Sequence, residues 1–371
     1  MSLTPEDSLR LNVLLANRPL AIRIHEPSMT VFGLTGDGES RIPLNPNCRQ
    51  ETYVKAVKEL ISGHVLGSPG GYPIYLQRWT RMGQMRDESL EQLLLLGEPE
   101  AVVAAVCAPG LTDELARRAW WAMEDAENAR RMLARDPVVE GSMGPALAAY
   151  LIEHLPFETE PEKMMETVRL VLQRELVDDA AAEDLWKKAQ RRTAYYVGFL
   201  ASRPDRLPEQ PSAHPAFEEK AAALRALTGD VEPIARQLAR VLSPAGQGFL
   251  DTIQRVLKKP PNQEVLIALF DVIRDYFSML RPEGEVDAEI EALQAEAQSW
   301  LERADDGVGG LVKALPELSG QLRAMRVLSG LSYGVVRPYL KGTNAMGSLM
   351  RKKVDPVLAA LGAELRVLRG G

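Results

Sequence analysis

The feature that most constrains this chain is a change of period. Apolar residues alternate with polar ones only between Leu20 and Leu44, whereas after Gln84 every apolar pattern has helical spacing. A sheet therefore has one place to form, and the remainder must bury helix on helix. Leu20, Ile22 and Ile24 alternate with Ala21, Arg23 and His25. Glu26-Pro27-Ser28 interrupts the run, Met29 to Leu34 resumes it, Gly36-Asp37-Gly38 turns the chain, and Arg41 to Leu44 supplies a third strand. The simplest product is a small antiparallel meander. Thr4-Pro5-Glu6-Asp7 opens a helix in front of it that ends near Asn17: a capping hydroxyl, a proline suited to the first position and acids that suit the positive helix end. A second helix is expected from about Arg49 to Ser62, with Tyr53, Val54, Val57, Leu60 and Ile61 inward and Gly63 as its stop.

Beyond Gln84 the chain reads as short helices with proline, glycine or aspartate at the corners. Ser89 to Gln92 and Thr159 to Glu162 form capping boxes, and Thr112 caps a helix carrying Leu115, Ala119, Trp120 and Met123. A longer helix is expected from about Asp179 to Leu200, and Asp355-Pro356 is expected to open the last one. Stacked helix pairs need this punctuation, so the fold class is mainly α with a HEAT-like texture after a small N-terminal α/β module. Pro204, Pro208, Pro211 and Pro215 mark a linker. The expected division is residues 1–84 for the α+β module, 85–202 for a helical domain, 203–215 for the linker and 216–371 for a second helical domain.

Composition bounds the function without naming it. The net charge is −7, which argues against a chain-wide footprint for nucleic acid. The two cysteines, Cys48 and Cys107, offer no disulfide framework and suit a reducing cytoplasm. The N-terminus does not read as a signal peptide. The longest unbroken apolar run, Ala101 to Ala108, falls far short of the ~20 residues a membrane span needs, so no membrane partner is expected.

The stretch richest in special residues is Gly63 to Gln84. Gly67, Ser68, Gly70 and Gly71 could present backbone amides to an anion, with Arg78 or Arg81 as counter-charge. The stretch lacks both the phosphate-loop Lys-Ser/Thr and the dinucleotide glycine fingerprint, and a demanding turn between sheet and helices explains the glycines more simply. His64 could serve as acid, base or ligand. The other histidines, His25, His154 and His214, lie far away in sequence, so no metal site is expected and His64 reads as a loop hydrogen-bonding group. Cys107 ends an apolar helix. A helix C-terminus disfavours a thiolate, so a buried small hydrophobe is favoured over a reactive thiol, and Cys48 is expected to be the exposed cysteine. Trp120 fits a helix stripe, while the adjacent Trp121 must face a neighbouring helix or a partner. Gly307 to Lys313 faintly resembles a phosphate loop but follows no strand. The terminal Gly370-Gly371 resembles the tails of ubiquitin-like and sulfur-carrier proteins in a handful of residues, and a frayed end explains it better.

Two oppositely charged runs adjoin near the end. Glu283 to Asp306 holds nine acids and one base, Arg303. Arg323 to Lys353 holds seven bases and no acid: Arg323, Arg326, Arg337, Lys341, Arg351, Lys352 and Lys353. The basic run, with Tyr333 and Tyr339 interleaved, could bind RNA or another polyanion. Pairing of the two runs across neighbouring helices is the favoured reading.

Against these residues a family resemblance stands out. Leu3 to Asn17, Gly63 to Pro73, Arg78 to Gln84, Leu93 to Ala101 and Leu111 to Met123 resemble the DsrS family. This is the sulfur reduction protein associated with the dissimilatory sulfite reductase system of sulfur-oxidising bacteria. The resemblance implies a cytoplasmic accessory of sulfur oxidation and brings no established activity, cofactor or catalytic residue. The combined expectation is a non-catalytic accessory protein, without cofactor, acting on a protein partner of the sulfur-oxidation machinery. The alternatives are a small-molecule or persulfide-handling enzyme at Gly63–Gln84, and an RNA-binding regulator using Arg323–Lys353.

Overall fold

The computed structural model describes residues 3–67, 87–227, 229–303, 306–342 and 345–370. The protein is mainly α, with one three-stranded antiparallel sheet near the N-terminus. It divides into two compact units, Met1–Pro156 and Phe157–Gly371.

In the first unit, helix α1 spans Pro5–Ala16, and the Thr4 hydroxyl accepts the Asp7 amide hydrogen at 3.3 Å. Strands β1 (Ala21–His25), β2 (Thr30–Thr35) and β3 (Gly38–Pro43) follow in that order across the sheet. Ile22 faces Gly33, and Val31 faces Ile42. Gly33 is glycine for a packing reason. A Cβ there would lie 2.4 Å from Leu14 Cδ1, so its absence lets α1 settle on the sheet. Leu11, Leu14, Ile22, Val31, Tyr53 and Val57 form the centre of this core.

Helix α2 runs Gln50–Leu66, past the expected stop. Gly63 lies within it, and Gly67, at φ 66°, is the left-handed cap. The extension carries Val65 onto the same core. Among the described residues there follow α3 (Asp87–Leu94), α4 (Pro99–Cys107), α5 (Asp113–Ala122), α6 (Ala126–Leu133) and the one-turn α7 (Asp136–Val139). Helix α8 (Met143–His154) then closes the unit, its N-terminus capped from a distance. Asp113 accepts from the Ser142 amide at 3.0 Å, the Ser142 hydroxyl at 2.8 Å and the Met143 amide at 2.9 Å. The tryptophan pair divides as its adjacency demands. Trp120 meets Tyr150 edge-on at 4.8 Å, while Trp121 turns to the sheet, under the Arg23 guanidinium and donating to Glu39 at 3.0 Å.

The second unit begins with α9 (Pro161–Val171), α10 (Asp179–Ala189) and α11 (Ala194–Ser202). The single long helix expected over 179–200 is thus two. The break lets Trp186 fold against Tyr196 and Phe199, at 4.8 and 5.0 Å. Gly198 on α11 permits close approach to α9, since a Cβ there would sit 2.8 Å from the Met165 carbonyl oxygen. The proline-rich segment 203–215 lies inside this unit and is pinned to it: Asp205 pairs with Arg240 at 2.6 Å, Glu209 pairs with Arg255 at 2.6 Å, and the His214 amide donates to the Leu242 carbonyl. Prolines that forbid helix here leave the chain extended enough to lace across the two helices that carry Arg240 and Arg255.

The remaining helices are α12 (Phe217–Arg225), α13 (Glu232–Leu242), α14 (Pro244–Lys258), α15 (Gln263–Tyr276), α16 (Ile290–Glu302), α17 (Asp306–Ala314), α18 (Ser319–Leu328) and the short α19 (Arg337–Leu340). The last, α20, spans Gly347–Arg369 and contains Pro356 rather than beginning at it. Proline removes one backbone hydrogen bond from a helix interior. The buried stripe Met350, Val354, Val357, Leu361, Leu365 and Leu368 runs through both halves and holds the helix together across the proline.

Candidate functional site

The structure places the sequence-derived candidates in different settings. His64 is exposed on the last turn of α2, next to the Gly67 cap. Ser68, Gly70, Gly71, Arg78 and Arg81 lie outside the described residues. Cys107 is exposed at the end of α4, where its carbonyl accepts from Arg135 at 2.6 Å. Cys48 is the half-buried cysteine, packed on the first unit's core. The expected exposures are thus exchanged. Cys107 occupies the outer face of an apolar helix whose inner face is Val102, Ala105 and Val106. Among the described residues no cluster of three or more His, Cys, Asp or Glu could hold a metal. Residues 307–313 belong to helix α17, so they form no phosphate loop.

The basic run splits in two. Arg326 is buried, donates to Glu296 at 2.6 Å, and also bonds Glu283 and the Leu280 carbonyl. Arg281 joins it, donating to Glu296 at 2.7 Å, and the Arg326 guanidinium lies 5.3 Å over the Trp300 ring. Burial alone would raise the Glu296 carboxyl. The hydrogen bonds from Arg326 and Arg281 overcome it and hold Glu296 below the usual carboxylate range. Arg337 pairs with Asp287, and Arg323 with the buried Glu364 at 2.8 Å. These three arginines are consumed by acids, whereas Lys341 and Lys353 are exposed.

Arg351 and Lys352 go elsewhere. They line a groove of about 1020 Å³ between α14 and α20. The α20 positions facing it repeat every seven residues. Ser348, Asp355, Gly362 and Arg369 form one row; Arg351, Leu358 and Leu365 form a second; Lys352, Ala359 and Arg366 form a third. This is the spacing of a coiled-coil seam. Gln254, Leu257 and Lys258, one turn of α14, form the opposite wall.

Leucines, alanine and glycine occupy the middle of the groove, and cations occupy its ends. Lys258, Arg351, Lys352, Arg366 and Arg369 face it against a single acid, Asp355. Arg369 is partly neutralised by Asp251 at 3.1 Å, and Arg351 donates to the Pro260 carbonyl at 3.3 Å. The side chains of Lys258, Lys352 and Arg366 are exposed and make no hydrogen bond or ion pair among the described residues.

Among the described residues, no close neighbour of Gly362 requires the missing side chain. A Cβ there would meet only the tip of Arg366, at 3.6 Å. A glycine in a helix interior costs about 1 kcal/mol relative to alanine. The missing side chain leaves the middle of the groove open. The heptad spacing of Ser348 to Arg369 is visible in the sequence, but a helix taken to start at Asp355 cuts the row in half.

Comparison with family models, with curated proteins and with solved structures returns no match. No helix among the described residues is long and apolar enough to cross a membrane.

Proposed function

We propose that this chain is a non-catalytic accessory protein that docks a protein partner. The observation carrying this reading is the α14–α20 groove, apolar at its centre, cationic at both ends and open at Gly362, where a Cβ would meet only the tip of Arg366. Surface of this kind suits recognition. Guanidinium groups hold charge and orient carboxylates but do not exchange protons near neutrality. Following the resemblance to the DsrS family, the partner belongs to the cytoplasmic sulfur-oxidation machinery. An RNA-binding regulator on Arg323–Lys353 is less well supported, because Arg323, Arg326 and Arg337 are paired with acids.

The test is photo-crosslinking in the native host. A photoreactive amino acid replaces Ala359, and captured peptides are identified by mass spectrometry in cells oxidising sulfur and in cells that are not. The expected result is a specific adduct with a protein of sulfur oxidation, together with slowed consumption of stored sulfur on deletion of the gene. Unchanged sulfur consumption in the deletion strain, with no adduct at Ala359, would overturn the reading.

A further inference from the structure

The docking reading leaves the partner's chemistry open, and the groove narrows it. We infer that its occupant is an acidic, amphipathic α-helix of the partner protein, lying along α20 with acids at both ends and small or apolar residues between them. The inference rests on the proposed docking role and adds what docks.

Three observations converge. The first is shape. The α20 positions that face the groove run from Ser348 to Arg369, about 32 Å at the rise of a helix, and they keep heptad spacing throughout. A long row of this kind accepts a second helix, whereas a compact small molecule would leave most of it uncovered. The second is the floor. Ala359 and Gly362 sit side by side at mid-length, where two helix axes come closest. The third is charge. Lys352 and Arg366 are 14 residues apart, about 21 Å along the axis, and both are without a partner among the described residues. A helix carrying acids two heptads apart meets both at once.

The same charges select against other occupants. A second copy of this chain would set cations against cations at each end. A single-stranded nucleic acid is favoured by aromatic stacking platforms, and no aromatic residue lines the groove.

The experiment uses the full-length protein and three fluorescent model peptides of about 21 residues, with anisotropy as readout. The first is helical, with leucine and alanine at its centre and glutamate pairs two heptads apart. The second replaces the glutamates with lysines. The third keeps the glutamates but carries a central proline that breaks the helix. The expected result is that the first peptide binds at least about tenfold more tightly than either control, and weakens as salt is raised.

Two variants sharpen the outcome. Gly362→Leu fills the floor and is expected to abolish binding without lowering the thermal midpoint. The double variant Lys352→Glu, Arg366→Glu is expected to reverse the preference towards the lysine peptide. Equal binding of all three peptides, binding unaffected by Gly362→Leu, self-association through this face, or displacement of the peptide by a poly-uridine strand would each overturn the inference. If the Ala359 adduct forms in the host while no acidic helix binds, docking stands and the helical occupant is wrong. If neither occurs, both fall.

Discussion

Replacing Arg326 with methionine tests the account of the second unit most directly. Methionine keeps much of the aliphatic volume and removes the guanidinium, so the loss is one of charge and hydrogen bonding rather than of packing. Removing one partner of a buried ion pair costs about 3–5 kcal/mol. Here the cost is moderated, because the Glu296 side chain is 37% exposed and Glu283 is 50% exposed, and water takes up part of what Arg326 gave them. Arg281 also remains, with its own bond to Glu296 at 2.7 Å. On the other side of the account, the Leu280 carbonyl loses its Arg326 donor and Trp300 loses its cation. A net loss of about 3 kcal/mol follows, and for a unit of this size it lowers the unfolding midpoint by about 6–12 °C.

Calorimetry on the full chain reads this directly, and pH supplies a second arm. Glu296 and Glu283 are held below the ordinary glutamate value of 4.5. A carboxylate whose folded value is depressed contributes stability that is complete above the unfolded value and is lost as pH falls through the folded one. The wild-type protein should therefore lose this stability below about pH 4.5, and Arg326→Met should show a shallower loss over the same range. A midpoint shift under about 2 °C with an unchanged acid limb would refute the network as a source of stability.

Three further outcomes follow from particular contacts. Asp7 is fully buried and accepts from the Tyr53 hydroxyl at 2.5 Å and the Asn45 amide at 2.7 Å, so Tyr53→Phe should cost the first unit about 2 kcal/mol, measured by urea unfolding. Gly198→Ala forces a methyl against Val168 and the Met165 carbonyl and should destabilise the second unit by about 1–3 kcal/mol despite alanine's better helix propensity; a more stable variant would show that α9 and α11 are looser than described. Burial holds His214 below the ordinary histidine value of 6.5, so its stabilising contribution is complete above that pH and declines as pH falls below it. His214→Leu should flatten the decline between pH 7 and 5.5, as read from thermal midpoints.

How legible the fold was depended on the range of the interactions that set it. The meander was readable from residues 20–44, because a half-buried strand writes its own alternation and its turns are local. The Thr4 and Thr112 caps were readable for the same reason: their hydrogen bonds span three residues. What escaped was decided at long range. Nothing near residue 190 announces a break, yet Trp186 must reach Tyr196 and Phe199. Pro356 reads locally as a helix start, and only the buried stripe from Met350 to Leu368 carries the helix through it. The prolines of 203–215 read as a linker because composition does not reveal that Asp205 and Glu209 find arginines on α13 and α14. Cys107 reads as buried because its helix is apolar, yet it sits on that helix's outer face, and Cys48 reads as exposed because it lies on a loop, yet that loop packs on the core.

Charge shows the same limit and connects the fold to the groove. A net charge of −7 reads as a surface hostile to acidic partners. That sum treats paired and unpaired charges alike. Glu283, Asp287, Glu296 and Glu364 are spent on Arg281, Arg323, Arg326 and Arg337, and these pairs project little field beyond a Debye length of about 8–10 Å. Other cations line the groove, where a single acid, Asp355, faces four bases on α20 and Lys258 on α14. Internal pairing and a basic groove are therefore complementary outcomes of one arrangement of charge. The acidic run neutralises the arginines that face it, while Lys352 and Arg366 on the last helix make no ion pair among the described residues. An acidic partner would be repelled weakly by the molecule as a whole and attracted strongly at one place, which favours docking in a single register over general adhesion.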